Sequence, residues 1–412
     1  MTSQPSSNPT GPSRRSLLLG GGAALGALPL LSACAEPTQA ETSSTASATA
    51  TSSESAAKIP QDARLPWVQT AHHQNDTRPN GTHLITLGVS GGPGWYPASE
   101  HCGIGTAIVV GGRTYLVDAG DRVPEQYMRA NPNQQETFEE FSSLAGVFLT
   151  HLHSDHTIDY FKLFNYAWWH GIGQVQEPIT VRGPGRRETL TRALDQEHAP
   201  GPFNPDNPMP GTVDMTDALF AGYATDINDR QRDNGLPVLR DLLDVQDIVI
   251  PGATTQWESM EQMPSMDPFT VHEDDRVKVT AIAVNHFPIY PALAFRFDTD
   301  DGSIVVSGDT GPTPNLITLA QDADVLVHEV IDETYIDTVF ADQEGIAQHL
   351  RKAHTPATQL GPIAEEAGVS TLVLHHLVPS EPPMERFMAA RDGFSGNFHI
   401  ATELDVIPVR QP

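Results

Sequence analysis

Cysteine is nearly absent from this chain: its 412 residues hold Cys34, Cys102 and no others. That excludes a disulfide framework, and a chain long enough to bury a sizeable core needs none. Lysine and arginine are also scarce, 24 against 52 aspartate and glutamate, which gives a formal charge of −28 and a pI near 4.8. Such a surplus argues against a general binder of nucleic acid or anionic membrane, since both draw on cationic side chains. Long apolar runs are missing as well. The Gly/Ala/Leu stretch that ends at Leu30 falls short of the roughly 20 residues that a membrane-spanning helix requires. No short-period repeat is present.

Histidine, by contrast, is concentrated. The run Thr150-His151-Leu152-His153-Ser154-Asp155-His156 packs four metal-binding side chains into six positions. Groups this close repel when protonated and leave unmet hydrogen-bonding capacity when dry. A divalent cation resolves both problems. The preceding Leu144–Thr150 is a short apolar run rich in β-formers and reads as a buried strand. Its carboxyl end is where α/β folds commonly place their chemistry. His151 and His153, two apart, point the same way, while Asp155 and His156 reach a second position in the next turn.

Later candidates stand at other strand ends. His286 follows the strand-like 277–284, and Asp309 follows 303–306. His375-His376 closes 371–374, and alternation along a strand lets only one of the two bind. Asp118 ends a hairpin whose arms are 106–110 and 115–118, turning at Gly111-Gly112. Glu329 ends the strand-like 324–330, and His354 precedes a helix read from Thr355 as N-cap, with Pro356 in its first turn, to Ala367.

This set resembles the metal-binding signature of the metallo-β-lactamase superfamily. It differs from the flavodiiron branch, where a Glu replaces the second His. The resemblance covers about 82–185 and 277–408 and implies an α/β (α+β) fold, a four-layer αβ/βα sandwich. On it, His151, His153 and His286 hold one metal, and Asp155, His156 and His376 hold a second, with His375 the fallback for His376. Asp309 lies between the metals, and Asp118 orients a ligand histidine. Two zinc ions are the implied cofactors, bridged by a hydroxide nucleophile, although such a His/Asp site also accepts manganese or iron. The motifs around Glu329 and His354 resemble the ribonuclease Z and arylsulfatase branch. There the catalytic residues corresponding to Asp155, His354 and Glu329 serve as ligand and proton acceptor, as leaving-group acid, and as the carboxylate that orients this acid.

The two ends of the resemblance are separated by an insertion of about 186–275. Between 191 and 275 it carries 17 Asp/Glu against 4 Arg/Lys, and 238–244 reads as helical. It is expected to form a lid or pocket wall, with Trp168, Trp169 and Tyr223 as candidate apolar contacts. Ser13-Arg14-Arg15-Ser16 looks like a twin-arginine export motif, and Leu31-Ser32-Ala33-Cys34 resembles a bacterial lipobox. Residues 1–34 are therefore expected to be a signal in which Cys34 is lipidated, 35–60 a disordered Ser/Thr/Ala-rich tether, and 61–412 the catalytic domain. The expected location is the outer face of the bacterial cytoplasmic membrane. The expected activity is hydrolysis of a small-molecule phosphodiester or sulfate ester, with no nucleic-acid partner. A lactone, β-lactam or other carboxyl-ester hydrolase is the first alternative, and a non-catalytic ligand-binding lipoprotein the second. Oligomeric state is left open, with a homodimer as one option.

Overall fold

The computed structural model describes residues 59–71, 78–191, 197–381 and 383–410. The export signal, Cys34 and nearly all of the tether lie outside the described residues. In chain order the first strands are β1 (Gln69–Thr70), β2 (His83–Gly88), β3 (Gly105–Val110), β4 (Arg113–Val117), β5 (Leu144–Phe148), β6 (Ile179–Pro184) and β7 (Leu243–Ile248). There follow β8 (Phe269–Glu273), β9 (Lys278–Ala283), β10 (Leu293–Thr299), β11 (Gly302–Val306), β12 (Val325–Ile331), β13 (Thr371–Val378), β14 (Asn397–Ile400) and β15 (Asp405–Pro408). One sheet runs β1-β15-β2-β3-β4-β5-β6-β7 and the other β14-β13-β12-β11-β10-β9-β8. Both are mixed: β4 to β7 and β11 to β14 pair in parallel, and the remaining neighbours are antiparallel.

Two-residue alternation explains why the sheets stack. On β3, Ile108 and Val110 turn toward the second sheet, whereas Ala107 and Val109 join a separate core beneath helices Val123–Ala130 and Tyr160–Ala167. Phe148 of β5 spans the gap, its ring 5.7 Å from Phe295 and 5.3 Å from Phe297 of β10. Helices Pro314–Ala320 and Ala357–Ala367 pack on the second sheet through Leu316, Leu319, Leu360 and Ala364. This is the metallo-β-lactamase sandwich.

The insertion is built into both sheets. Its 238–244 segment is not the expected helix: a 3-10 turn, Leu239–Leu242, gives way to β7. Buried Leu243 and Ile248 flank a largely polar stretch that pairs in parallel with β6, and this pairing overrides the local helical preference. At the other end β8 borders β9. The aromatic expectation also changes. Trp168 is buried in the core under the first sheet, while Trp169 and Tyr223 are exposed, Trp169 beneath Arg230 and Tyr223 stacked on Phe161. None of the three borders either cavity beside the site. No helix among the described residues is long and apolar enough to cross a membrane.

Candidate metal centre

The parallel strands of both sheets end at one edge, and the histidines gather there. His151 and His153 leave the end of β5, and Asp155 and His156 open the short helix Ser154–Thr157. The other sheet brings His286 after β9, Asp309 after β11 and His376 in β13. Leu293 N donates to Thr150 O at 2.9 Å, joining the two edges where the ligands meet.

The donor atoms form two groups that share one carboxylate. His151, His153, His286 and Asp309 present atoms within 4.8 Å of one another, as do Asp155, His156, Asp309 and His376. Asp309 Oδ2 lies 3.8 Å from both His151 Nε2 and His286 Nε2, and its Oδ1 lies 3.2 Å from both His156 Nε2 and His376 Nε2. A carboxylate with one oxygen toward each group is placed to join two cations. Gly308 makes that aim feasible. It takes a φ of +58°, and a Cβ there would meet Leu293 O at 2.7 Å and Thr150 Cβ at 2.9 Å.

The residues fit a divalent cation. Among the described residues, His151 Nε2, His156 Nε2 and Asp309 Oδ1 are buried without a hydrogen-bond partner, a costly arrangement unless something binds them. Ala353 O can only accept, so its 3.0 Å contact makes His286 Nδ1 the N–H and leaves Nε2 as a lone pair. Asp118 does the same for His156, 2.8 Å from Nδ1, while accepting from Thr150 N and Oγ1. Burial holds the His151 and His286 imidazoles well below their ordinary value, in the neutral form that a metal ligand needs. Burial would lower His156 and His376 too, but Asp309, Asp118 and Asp155 lift His156 well above its usual range, and Asp309 and Asp155 lift His376 to about 10. Asp309 and Asp155 are held below the carboxylate range despite burial, by His376 and His156. Positive charge is what this pocket of acids draws in.

Alternation along β13 does not decide between the two adjacent histidines, because His376 takes a φ of +44°. That twist points His376 at Asp155, Nε2 to Oδ2 3.4 Å, while both ring nitrogens of His375 are buried without a partner. A Cβ on Gly91 would overlap the His376 ring. Gly92 N donates to Asp155 Oδ2 at 2.9 Å.

Beside the shared carboxylate, His354 Nδ1 is 3.3 Å from Glu329 Oε1 and 4.0 Å from Asp309 Oδ2. Glu329 Oε1 also accepts from Thr310 N (3.1 Å) and Thr355 N (3.0 Å). Thr355 is not the expected N-cap: its hydroxyl donates to Thr310 O at 2.6 Å, and the helix Ala357–Ala367 starts from Pro356. Burial opposes protonation of His354, yet Glu329 and Asp309 raise it above its ordinary value. His349 was not legible in the sequence. It lies in helix Glu344–Ala353 with its ring 6.5 Å from His286, and burial pushes it down to about 4. A lone histidine in a polar helix carries no motif. Two cavities flank the centre, one of about 460 Å³ touching Asp155 and one of about 260 Å³ touching His153.

The fold and this edge define a metal-dependent hydrolase built on the metallo-β-lactamase fold. Residues 235–377 match the β-lactamase superfamily domain. The chain is similar to ribonuclease Z of Mycobacterium marinum, 27% identical over 329 residues that cover 79% of this chain and 98% of the relative. It is similar to ribonuclease Z of Mycobacterium bovis, 26% identical over 337 residues with coverage of 79% and 98%. The human tRNase Z short form shares the fold at a TM-score of 0.50 and 17% identity, covering 80% of this chain and 100% of that one.

These relatives overturn two expectations, that the substrate is a small-molecule phosphodiester or sulfate ester and that no nucleic acid is a partner. The acid surplus misled because charge was summed over the chain. In the structure four carboxylates of the insertion are already engaged: Asp214 with Arg186, Asp244 with Arg182, Asp226 with Arg230, and Glu258 with the backbone of Glu188 and Thr189. Net charge reports on the whole surface, not on the field at the site.

Proposed function

We propose that this chain is a metal-dependent endonuclease that hydrolyses a phosphodiester bond in RNA, with a tRNA precursor as the first substrate to test. What carries the reading is a shared-carboxylate centre with His354 beside it, in a chain that aligns with ribonuclease Z over nearly the whole relative. His151, His153 and His286 would hold one cation, and Asp155, His156 and His376 the other, with Asp309 common to both. Two zinc ions, which this donor set favours, would supply Lewis-acid charge at the phosphoryl oxygens and a water acidic enough to attack near neutral pH.

The protein's own groups do the rest. Asp118 fixes the His156 tautomer and Ala353 O that of His286, so both rings keep their orientation through turnover. Glu329, held by two backbone N–H groups, keeps His354 protonated, and His354 delivers that proton to the departing ribose oxygen. Asp155, its carboxylate fixed by Gly92 N, is placed to accept the proton of the attacking water. The test is a precursor tRNA and a nitrophenyl phosphodiester offered to wild type and His354→Ala. Nitrophenolate leaves without protonation, so the variant should lose far more on RNA than on the nitrophenyl ester. Equal losses would remove His354 from the acid role, and intact RNA with wild type would remove the ribonuclease reading.

We propose as well, from the motif alone, that residues 1–34 direct export and that Cys34 carries a lipid, which would place the enzyme away from tRNA precursors and make precursor tRNA an assay substrate for its RNA cleavage rather than the one it meets. A Cys34→Ala chain that stays equally membrane-bound would contradict this.

A further inference from the structure

Arg187 is a buried cation that forms no salt bridge among the described residues. It is only 5% exposed. Its Nε donates to Thr189 O at 2.6 Å, Nη1 to Pro288 O at 3.2 Å and Tyr290 O at 3.4 Å, and Nη2 to Thr191 Oγ1 at 2.9 Å. A guanidinium has five N–H groups. Four acceptors, all neutral, are present among the described residues, so one Nη2 hydrogen is left over and no carboxylate hydrogen-bonds the charge, although Glu258 acts on it through space. Glu258, the nearby acid, already accepts from Glu188 N, Thr189 N and Thr189 Oγ1. Burial lowers the Arg187 pKa from its ordinary value, as expected of a cation removed from water. Such a charge is costly to keep dry unless an anion completes it.

That guanidinium lines the cavity of about 260 Å³ whose other walls include His153, Met209, Pro210, Tyr290 and Pro291. One wall is therefore a ligand candidate of the centre, one a cation, and most of the remainder apolar, with Thr191 a polar exception. The cation and its remaining Nη2 hydrogen suit a phosphate oxygen, and an apolar wall with one aromatic ring accepts a sugar or base face. Met209 and Pro210 come from the acidic insertion, which thus builds a wall of this cavity.

We propose that this cavity is a nucleotide subsite. Arg187 binds the phosphate adjoining the scissile one on the His153 side, and Tyr290, Met209 and the prolines receive the attached nucleoside. The proposal rests on the RNA reading for its substrate, but its ligand chemistry, a nucleoside phosphate, can be measured without any cleavage. The full chain and Arg187→Gln are compared in two ways, with thermal melting and metal content of each as controls. The first is binding of a nucleoside 5′-monophosphate against the parent nucleoside. Wild type should prefer the phosphate by about tenfold or more, the size of one charge-assisted hydrogen bond, and Arg187→Gln should lose the preference. The second is cleavage of an RNA whose adjoining phosphate is replaced by a neutral methylphosphonate. Wild type should lose about tenfold in kcat/KM on the neutral linkage and the variant should lose little, with Arg187→Lys intermediate. A variant that keeps the monophosphate preference, or suffers from the methylphosphonate as much as wild type, would overturn the subsite. Should Arg187→Gln melt too low to assay, the methylphosphonate series on wild type alone decides: no loss at any flanking position overturns it. Wild type that prefers the monophosphate but cuts no RNA would leave the subsite standing and remove the RNA reading.

Discussion

Two buried histidine–carboxylate pairs in this molecule have the same chemistry and opposite surroundings. His399 Nε2 lies 3.0 Å from Asp405, its Nδ1 accepts from Leu65 N, and Asp405 also takes Arg64 and Thr402 N. Every polar atom of that pair is answered, so it ties the chain entering at Arg64 to the turn between β14 and β15. His354 and Glu329 lie 3.3 Å apart, but among the described residues His354 Nδ1 and Glu329 Oε2 have no hydrogen-bond partner, and neither do His151 Nε2, His156 Nε2 and Asp309 Oδ1 nearby. A satisfied pair fastens the fold. An unsatisfied one, in a cluster of unsatisfied atoms, marks a place kept open for a ligand and pays in stability.

Breaking the open region should cost activity and breaking the closed one should cost stability. The largest effect is expected from Asp309→Asn, because that carboxylate serves both donor groups. Hydrolysis should fall to the level of the chelated protein, as read by turnover alongside metal content. His354→Ala should lower kcat on RNA by about 10²- to 10⁴-fold, the range for a positioned acid. His399→Ala should leave turnover per folded molecule intact and appear only in melting. Asp118→Ala, which frees the His156 ring, should weaken metal affinity by about 10- to 100-fold, measurable by competition with a chromophoric chelator.

The closed pair gives a pH signature. Although burial opposes ionisation, His399 and Arg64 hold the Asp405 carboxyl below its ordinary range. Its stabilisation is therefore complete above the unfolded value of about 3.9 and fades as pH falls through the lower folded value. Asp405→Ala should cost about 3 kcal/mol in denaturant unfolding at pH 7, with the gap to wild type closing below about pH 4. A gap that persists in acid would show that packing, not charge, holds the two segments.

The sequence made one part of this comparison visible and hid the other. The run from His151 to His156 has metal-ligand spacing on its face, and Asp309 and His376 end apolar strands, so their convergence could be anticipated. Hairpin β3–β4 and strands β9 to β13 followed from apolar runs and turn residues. The short strand at Leu243–Ile248 did not, since its pairing with β6 is set by the tertiary fold. His349 and Arg187 were invisible because their surroundings come from residues far away in sequence. The acid count of the insertion was correct as arithmetic and wrong as a guide to substrate, because a sum over a segment does not say where the charge lies relative to the site.

The most direct test is a zinc titration of the chelator-stripped full chain, with bound metal and cleavage of a precursor tRNA followed in the same samples. Cutting should appear as the two donor groups fill, and Asp309→Asn should stay inactive throughout. Wild type that takes up its metal and leaves the RNA whole would contradict this.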